Sequence, residues 1–257
     1  MSFTRYLTRS VAEISSAFAG NNYLAKGLRV LMYHAVGTRA HGDLSGSFSL
    51  SPENFKRQMK MVSRWNSGRI VDLSEEALTD KDSHISITFD DGYRDNLLVA
   101  APILCQFDLP FTVFVTTEFV RSGEAGFLSA HDIRDLSLIR GARIGSHGAT
   151  HIDLTACDDK GLIRELSQSK HYLEDITGKK VEAISYPYGK VNKRVQDFAH
   201  RAGYILGACS REGLNSTASN RMLLARTEIS ATDSDRVFLQ KLQGHWDWLK
   251  WRRIYRD

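Results

Sequence analysis

The chain alternates between two hydrophobic periods, and this alternation constrains its fold more than any other feature. Seven short apolar runs recur: Leu28–Tyr33, Ile85–Phe89, Phe111–Val115, Ala142–Ile144, Val181–Tyr186, Tyr204–Cys209 and Met222–Ile229. They are rich in Val, Ile, Phe and Tyr, whose branched or aromatic side chains suit a pleated strand. Between them the period lengthens to that of a helix. Ser51-Pro52-Glu53 reads as a helix start, and Phe55, Met59 and Val62 follow at helical spacing. Leu162, Leu166, Leu173 and Ile176 line one face of a second helix, which Gly178 stops. A third runs from about Val191 to Ala202, ahead of Gly203.

Strand–helix alternation of this kind implies parallel strands joined by crossover helices. An open doubly wound sheet and a closed barrel both satisfy it. No glycine-rich phosphate loop follows the early strands, so an α/β barrel of the TIM-like type is the better fit. His34 to Phe48, with Gly37, Gly42 and Gly46, reads as a long loop after the first strand, where barrels tend to carry function.

With 257 residues, 42% of them hydrophobic, the chain can bury a large core without disulfides. Its cysteines, Cys105, Cys157 and Cys209, are odd in number and widely spaced, and read as reduced structural thiols. A formal net charge of +4 is too small to argue for a nucleic-acid partner. No secretory signal core is visible before Lys26, and Pro102 interrupts the longest apolar run, Leu97 to Cys105. The chain reads as cytoplasmic.

Four places carry chemistry. Asp90 and Asp91 end the run Ile85–Phe89, with Gly92 supplying turn freedom, so adjacent carboxylates can take different roles. His147 and His151 follow Ala142–Ile144; four apart, they face the same way on a helical turn or compact loop. Two imidazoles and a carboxylate suit Zn²⁺ with an open position. Tyr186-Pro187-Tyr188-Gly189 offers a rigid turn with aromatic rings, either walls for a sugar face or core tyrosines. His34, at the end of the first strand, suits proton transfer near neutral pH.

Taken together, Thr88-Phe89-Asp90-Asp91-Gly92, Ser146-His147…His151 and Tyr186-Pro187-Tyr188-Gly189 resemble, in order and spacing, the motifs of the NodB-homology polysaccharide deacetylases. The likeness runs from about Leu28 to Ile229. It implies a distorted (β/α)7 barrel and a metal-dependent hydrolase that removes an N-acetyl group from an amino sugar in a poly-, oligo- or lipid-linked saccharide. Asp90 would then be the general base. Asp91, His147 and His151 would bind a divalent metal, usually Zn²⁺, with Co²⁺ or Ni²⁺ as alternatives. The backbone amide of Tyr188 would help hold the oxyanion, beside Tyr186. The opening run Leu28 to His34 resembles the branch acting on poly-N-acetylglucosamine and related exopolysaccharides of the cell envelope. In that branch an early histidine replaces a late Leu-x-x-His acid. Leu223-Leu224-Ala225-Arg226 lacks that histidine, so His34 is the candidate acid.

Two departures stand out. Many members place an arginine two residues before the Pro of the third motif, where it pairs with the base; here that residue is Ser185, and Arg226 on a late strand is the candidate replacement. The tryptophan motif of other members is absent at Gly203-Tyr204-Ile205-Leu206. Three competitors remain: a sugar O-acetyl esterase or deformylase, a non-catalytic glycan-binding barrel, and a nucleotide-sugar glycosyltransferase. Asp90 argues against the binder; His147, His151 and the missing nucleotide loop argue against the transferase.

The expected organisation is an extension over residues 1–27, a barrel over 28–243 and an aromatic, basic tail over 244–257. In the tail, Trp248, Trp251 and Tyr255 fall at helical spacing among basic residues. This face either packs on the barrel or makes a peripheral contact with anionic membrane at its inner surface. Oligomeric state is left open.

Overall fold

The computed structural model describes residues 25–66 and 68–251. The strands are β1 (Gly27–Tyr33), β2 (Ala35–Val36), β3 (Ser49–Leu50), β4 (Arg69–Ile70), β5 (Ser83–Phe89), β6 (Phe111–Val115), β7 (Ala142–Ser146), β8 (Ala183–Ser185), β9 (Leu206–Ala208) and β10 (Thr227–Glu228). The main sheet is parallel, in the order β10-β1-β5-β6-β7-β8-β9. The chain just before β10 closes the ring: Leu224 N–H donates to Gly207 O (2.7 Å), and Cys209 N–H donates to Leu224 O (2.9 Å). The result is the distorted seven-stranded α/β barrel expected. One distortion lies at β5, whose lower end pairs with β4 and whose upper end pairs with β6.

Alternation along each strand sorts side chains between two cores. Leu28 and Val30 of β1 face the barrel interior with Phe114, Leu206, Ala208 and Leu224. Leu31 and Tyr33 face outward, where Tyr33 meets Phe55 edge-on at 5.3 Å. Phe55 belongs to the helix Pro52–Ser63, which starts as expected: the Ser51 hydroxyl accepts from Asn54 N–H and Pro52 is at the first position. The second helix begins at Asp159, capped by the Asp158 carboxylate, and ends at Thr177 before left-handed Gly178. It is interrupted by a π turn over Arg164–Gln168. The third spans Lys193–Arg201, capped by Asn192.

Only Thr227–Glu228 of the run Met222–Ile229 is regular strand. The preceding residues reach across instead: Leu224 bonds β9, and Arg226 N–H donates to Arg211 O.

The described part of the tail packs on the barrel. Asp247 makes two bonds, of 2.8 and 3.0 Å, to the buried guanidinium of Arg29 on β1, and Trp246 Nε1 donates to Gln240 Oε1. Tyr255 and the rest of 252–257, like residues 1–24 of the expected extension, lie outside the described residues. No helix among the described residues is long and apolar enough to cross a membrane.

Candidate active site at the strand ends

The backbone ladder continues one residue past several strands, and this fixes where the motif residues stand. Asp90 N–H donates to Tyr33 O (2.9 Å), His147 N–H to Val115 O (2.9 Å) and Tyr186 N–H to Ala208 O (3.0 Å). Beyond these bonds the chain turns sharply: Asp91, His151 and Tyr188 all take left-handed φ, of 72°, 56° and 59°. Such conformations are unfavourable for residues with a Cβ and cluster at functional sites.

These turns bring three donor groups together. Asp91 Oδ1 lies 3.3 Å from His147 Nε2 and 3.3 Å from His151 Nε2. All three ligand atoms fall within 4.8 Å of one another. Two ligands about 2.1 Å from one ion at a tetrahedral angle stand roughly 3.4 Å apart, so the spacing suits a small divalent cation. The Nδ1 of His147 is 2.8 Å from Ser185 O, which assigns a proton to Nδ1, so that Nε2 becomes a lone-pair donor to a cation once it gives up its own proton. Burial pushes the Asp91 carboxyl up, but hydrogen bonds from His147 and His151 outweigh it and hold it well below the usual carboxylate range. Burial opposes charge on His147, yet Asp90 and Asp91 beside it raise its pKa. The site is thus built to attract positive charge. The pair of histidines sits in a compact loop rather than on a helical turn.

Asp90 is buried next to this cluster and paired face to face with Arg226. Arg226 Nη1 donates to Oδ1 and Nη2 to Oδ2, each at 2.7 Å. Arg226 is 1% exposed, and its Nε donates to Cys209 O at 2.9 Å. Ser185 completes the arrangement: its hydroxyl donates to Asp90 Oδ2 (3.1 Å) and accepts from Arg226 Nη2 (2.8 Å). Burial raises the Asp90 pKa, but Arg226, with His147 and His34, more than offsets this and holds it at about 2. Arg226 therefore faces Asp90 and is buried within the barrel.

His34 sits between the aspartates and the loop that follows β1. Its ring lies 4.5 Å from that of Phe48, its carbonyl accepts from Asn96, and its Nδ1 is buried without a partner. Tyr188 is 58% exposed, with its ring 4.7 Å from His151. Its turn needs Gly189, where a Cβ would come within 2.4 Å of Ser210 Oγ. Tyr186 corrects an expectation. Its ring is wholly buried and its hydroxyl donates to Met222 O (3.0 Å), so it belongs to the barrel closure and not to a sugar-facing wall.

Two neighbours were not singled out from sequence. Tyr93 stands beside Asp91, and its hydroxyl accepts from His41 N–H (2.8 Å); its place one residue after Asp-Asp-Gly was the available signal. Phe127 stacks on Tyr93 at 4.8 Å and meets Phe119 at 4.2 Å, forming an aromatic flank beside His151. A cavity of about 600 Å³ opens at the other end of the barrel, among Leu73, Thr112, Arg143 and Leu206. Its Arg143 is already engaged by Asp72 and Glu182, and it lies away from the convergent aspartates and histidines.

A parallel barrel with an Asp-His-His cluster and a paired aspartate at its strand ends is an arrangement that could hold a divalent cation. Residues 77–207, just over half of the chain, match the polysaccharide deacetylase family, and the chain belongs to it. A Bacillus subtilis protein named as a candidate polysaccharide deacetylase, YxkH, is 24% identical over 216 residues, covering 82% of this chain and 74% of that one. Among solved structures, the Streptococcus pyogenes deacetylase PplD, in complex with acetate, superposes with a TM-score of 0.75 at 26% identity, covering 84% of this chain and 98% of PplD. The polysaccharide deacetylase BC0361 of Bacillus cereus gives 0.73 at 27%, covering 84% and 69%. IcaB from Ammonifex degensii shares the fold, with a TM-score of 0.68 at 19% identity, covering 89% and 99%.

Proposed function

We propose that the protein is a metal-dependent N-deacetylase acting on an amino sugar within a saccharide. The observation that carries this reading is the convergence of Asp91, His147 and His151 beside an aspartate held ionised by Arg226. Asp91, His147 and His151 would hold the divalent cation, and two nitrogens with one oxygen suit Zn²⁺, with Co²⁺ or Ni²⁺ as substitutes. When bound, such an ion polarises a carbonyl and lowers the pKa of a water towards about 7.

The chain's own residues do the remaining work. Asp90 accepts the proton that the attacking water loses, while Arg226 and Ser185 fix the carboxylate's orientation. The Tyr188 backbone N–H donates to the oxyanion as the carbonyl carbon becomes tetrahedral. His34 gives a proton to the amide nitrogen, so that the C–N bond breaks and acetate and a free amine leave. Without that proton the intermediate reverts, because an amine anion is a far worse leaving group than water. The exposed Tyr188 ring and the Phe119–Phe127 flank provide flat apolar faces for a sugar.

The acetate in the related PplD structure fits a deacetylation product. In this reading the described part of the tail, up to residue 251, serves as barrel wall, since Asp247 pairs with buried Arg29. The test is mass-spectrometric screening of N-acetylated and O-acetylated oligosaccharides, with and without chelator. Loss of one acetyl group from an N-acetylated substrate, abolished by chelation and restored by Zn²⁺ or Co²⁺, is the expected result. Activity confined to O-acetyl substrates, or indifferent to chelation, overturns the reading.

A further inference from the structure

We propose that Glu165 is the positioning residue that holds the His147–His151 loop in ligand geometry before a metal arrives; this rests on the metal-site reading above.

Glu165 is 4% exposed and faces the core side of its helix, between Leu162 and Leu166. A carboxyl group is costly to bury unless its oxygens are satisfied. Here one short loop supplies three donors. Oε2 accepts from Ala149 N–H (2.8 Å) and Thr150 N–H (2.9 Å), and Oε1 accepts from the Thr150 hydroxyl (2.6 Å).

That loop needs holding. Gly148 and His151 both adopt left-handed φ, of 77° and 56°, and His151 carries a Cβ that disfavours it. Strained backbone of this kind persists only where its surroundings over-determine it. The opposite side of the loop is gripped too: Gly148 O accepts from Thr117 N–H (3.3 Å) and Ala149 O accepts from Glu118 N–H (2.8 Å), at the start of the helix Thr117–Ser122. The two imidazoles are therefore presented by a backbone clamped on both edges, and Glu165 is the charged half of the clamp. It fits closely, for a Cβ on Gly148 would come within 3.2 Å of Glu165 Oε2.

The local helix is built around this contact. Glu165 lies in the π turn Arg164–Gln168, and such turns recur at functional sites. Ser169 absorbs the irregularity: its hydroxyl donates to Glu165 O (2.6 Å) and takes a bond from Ser146 Oγ (2.9 Å), at the end of β7. Ser146 Oγ in turn accepts from Gly148 N–H (3.1 Å). The amides of residues 148, 149 and 150 all terminate on this one helix or on the serine it holds.

The test uses the full chain with Zn²⁺ as probe. Zinc affinity is read by chelator competition, and hydrogen exchange of the 147–151 segment is read in metal-free protein. Glu165→Ala should weaken zinc binding about 10–100-fold. It should also speed exchange at Ala149 and Thr150, with strand β7 unchanged. At saturating zinc its kcat should return close to wild type, because Glu165 stands behind the loop, away from substrate. Glu165→Gln keeps the shape, can still accept both amides and should recover most of the affinity. Unchanged exchange at 149–150, or wild-type zinc affinity in a folded Glu165→Ala protein, overturns the proposal. If Glu165→Ala does not fold, Glu165→Gln and Thr150→Val are compared, and undiminished affinity with unaltered exchange in both overturns it. Zinc uptake by the wild type tests the metal site itself. Absence there sinks both readings, whereas uptake with no effect of Glu165 sinks only this one.

Discussion

Arg226→Met is the most informative single change. The guanidinium makes five bonds in the barrel interior: two to Asp90 and one each to Ser185 Oγ, Cys209 O and, at 3.5 Å, Thr88 Oγ1. Methionine fills much of the volume but offers no donor. Asp90 then stays buried with Ser185 Oγ as its remaining side-chain donor. Removing one partner of a buried ion pair costs about 3–5 kcal/mol, because the other charge is left uncompensated. Asp90 can relieve part of this by taking a proton, which places the expectation near the lower end, about 3 kcal/mol. For a domain of this size that is a fall in Tm of roughly 6–12 °C. The measurement is calorimetric melting of chelated protein, so that metal binding does not contribute.

The double variant Asp90→Asn/Arg226→Met decides the cause. With no charge left to strand, it should lose less than the sum of the two single losses, with a coupling of at least about 2 kcal/mol. Arg226→Lys should not restore activity, since one ammonium cannot meet both carboxylate oxygens in the plane that a guanidinium does. Additive losses in the double variant, or a single-variant cost under about 1 kcal/mol, refute the account of Arg226 as the group that keeps Asp90 ionised.

Three further outcomes follow from the same geometry. His34→Ala should slow amide hydrolysis about 10²–10⁴-fold while sparing an activated ester, whose leaving group needs no proton; equal penalties in a paired kinetic assay contradict the acid role. Glu212 has its carboxyl pushed up to about 7 by burial, against the pull of Lys241 and Arg29, and its Oε2 is buried without a partner. The native state thus keeps a proton that the unfolded chain releases near pH 4.5. The stability this provides is present below that pH and is lost as pH rises through about 7. Glu212→Gln should therefore match wild type in urea melts at pH 4 and exceed it by up to about 3 kcal/mol at pH 8; an equal difference at both ends of the range sinks the prediction. Asp247→Ala strands Arg29, whose other side-chain partner is Thr227 Oγ1, and should cost about 2–3 kcal/mol by the same melts. An unaffected melt would free the C-terminal segment from its role in the barrel.

What could be read from sequence was what is contiguous in it. Asp90-Asp91-Gly92 and His147…His151 each follow an apolar run directly, so strand ends and candidate ligands were legible together, as was the helix start at Ser51-Pro52. The failures have a common physical origin in contacts between distant segments. Tyr186 sits in a turn that looks exposed, but Met222 arrives from the closing segment and takes its hydroxyl into the core. The run Met222–Ile229 has strand composition, yet its first residues spend their hydrogen bonds on β9 and Arg211. Glu165 reads locally as one more charge on an amphipathic helix, because the π turn and the loop amides that occupy it are tertiary facts. Arg226 is the instructive case. Resemblance showed an arginine missing at Ser185 and offered Arg226 in its place, but no local pattern could show that a side chain 136 residues from Asp90 reaches it. Barrel closure explains the reach. The segment leading into β10 hydrogen-bonds β9, while β10 itself pairs with β1, whose neighbour β5 carries Asp90. A guanidinium entering there can meet the carboxylate from across the barrel, and the hydroxyl of Ser185 fills the space between them. The requirement is a fixed, buried positive charge against Asp90, and a closed ring of strands lets more than one strand supply it.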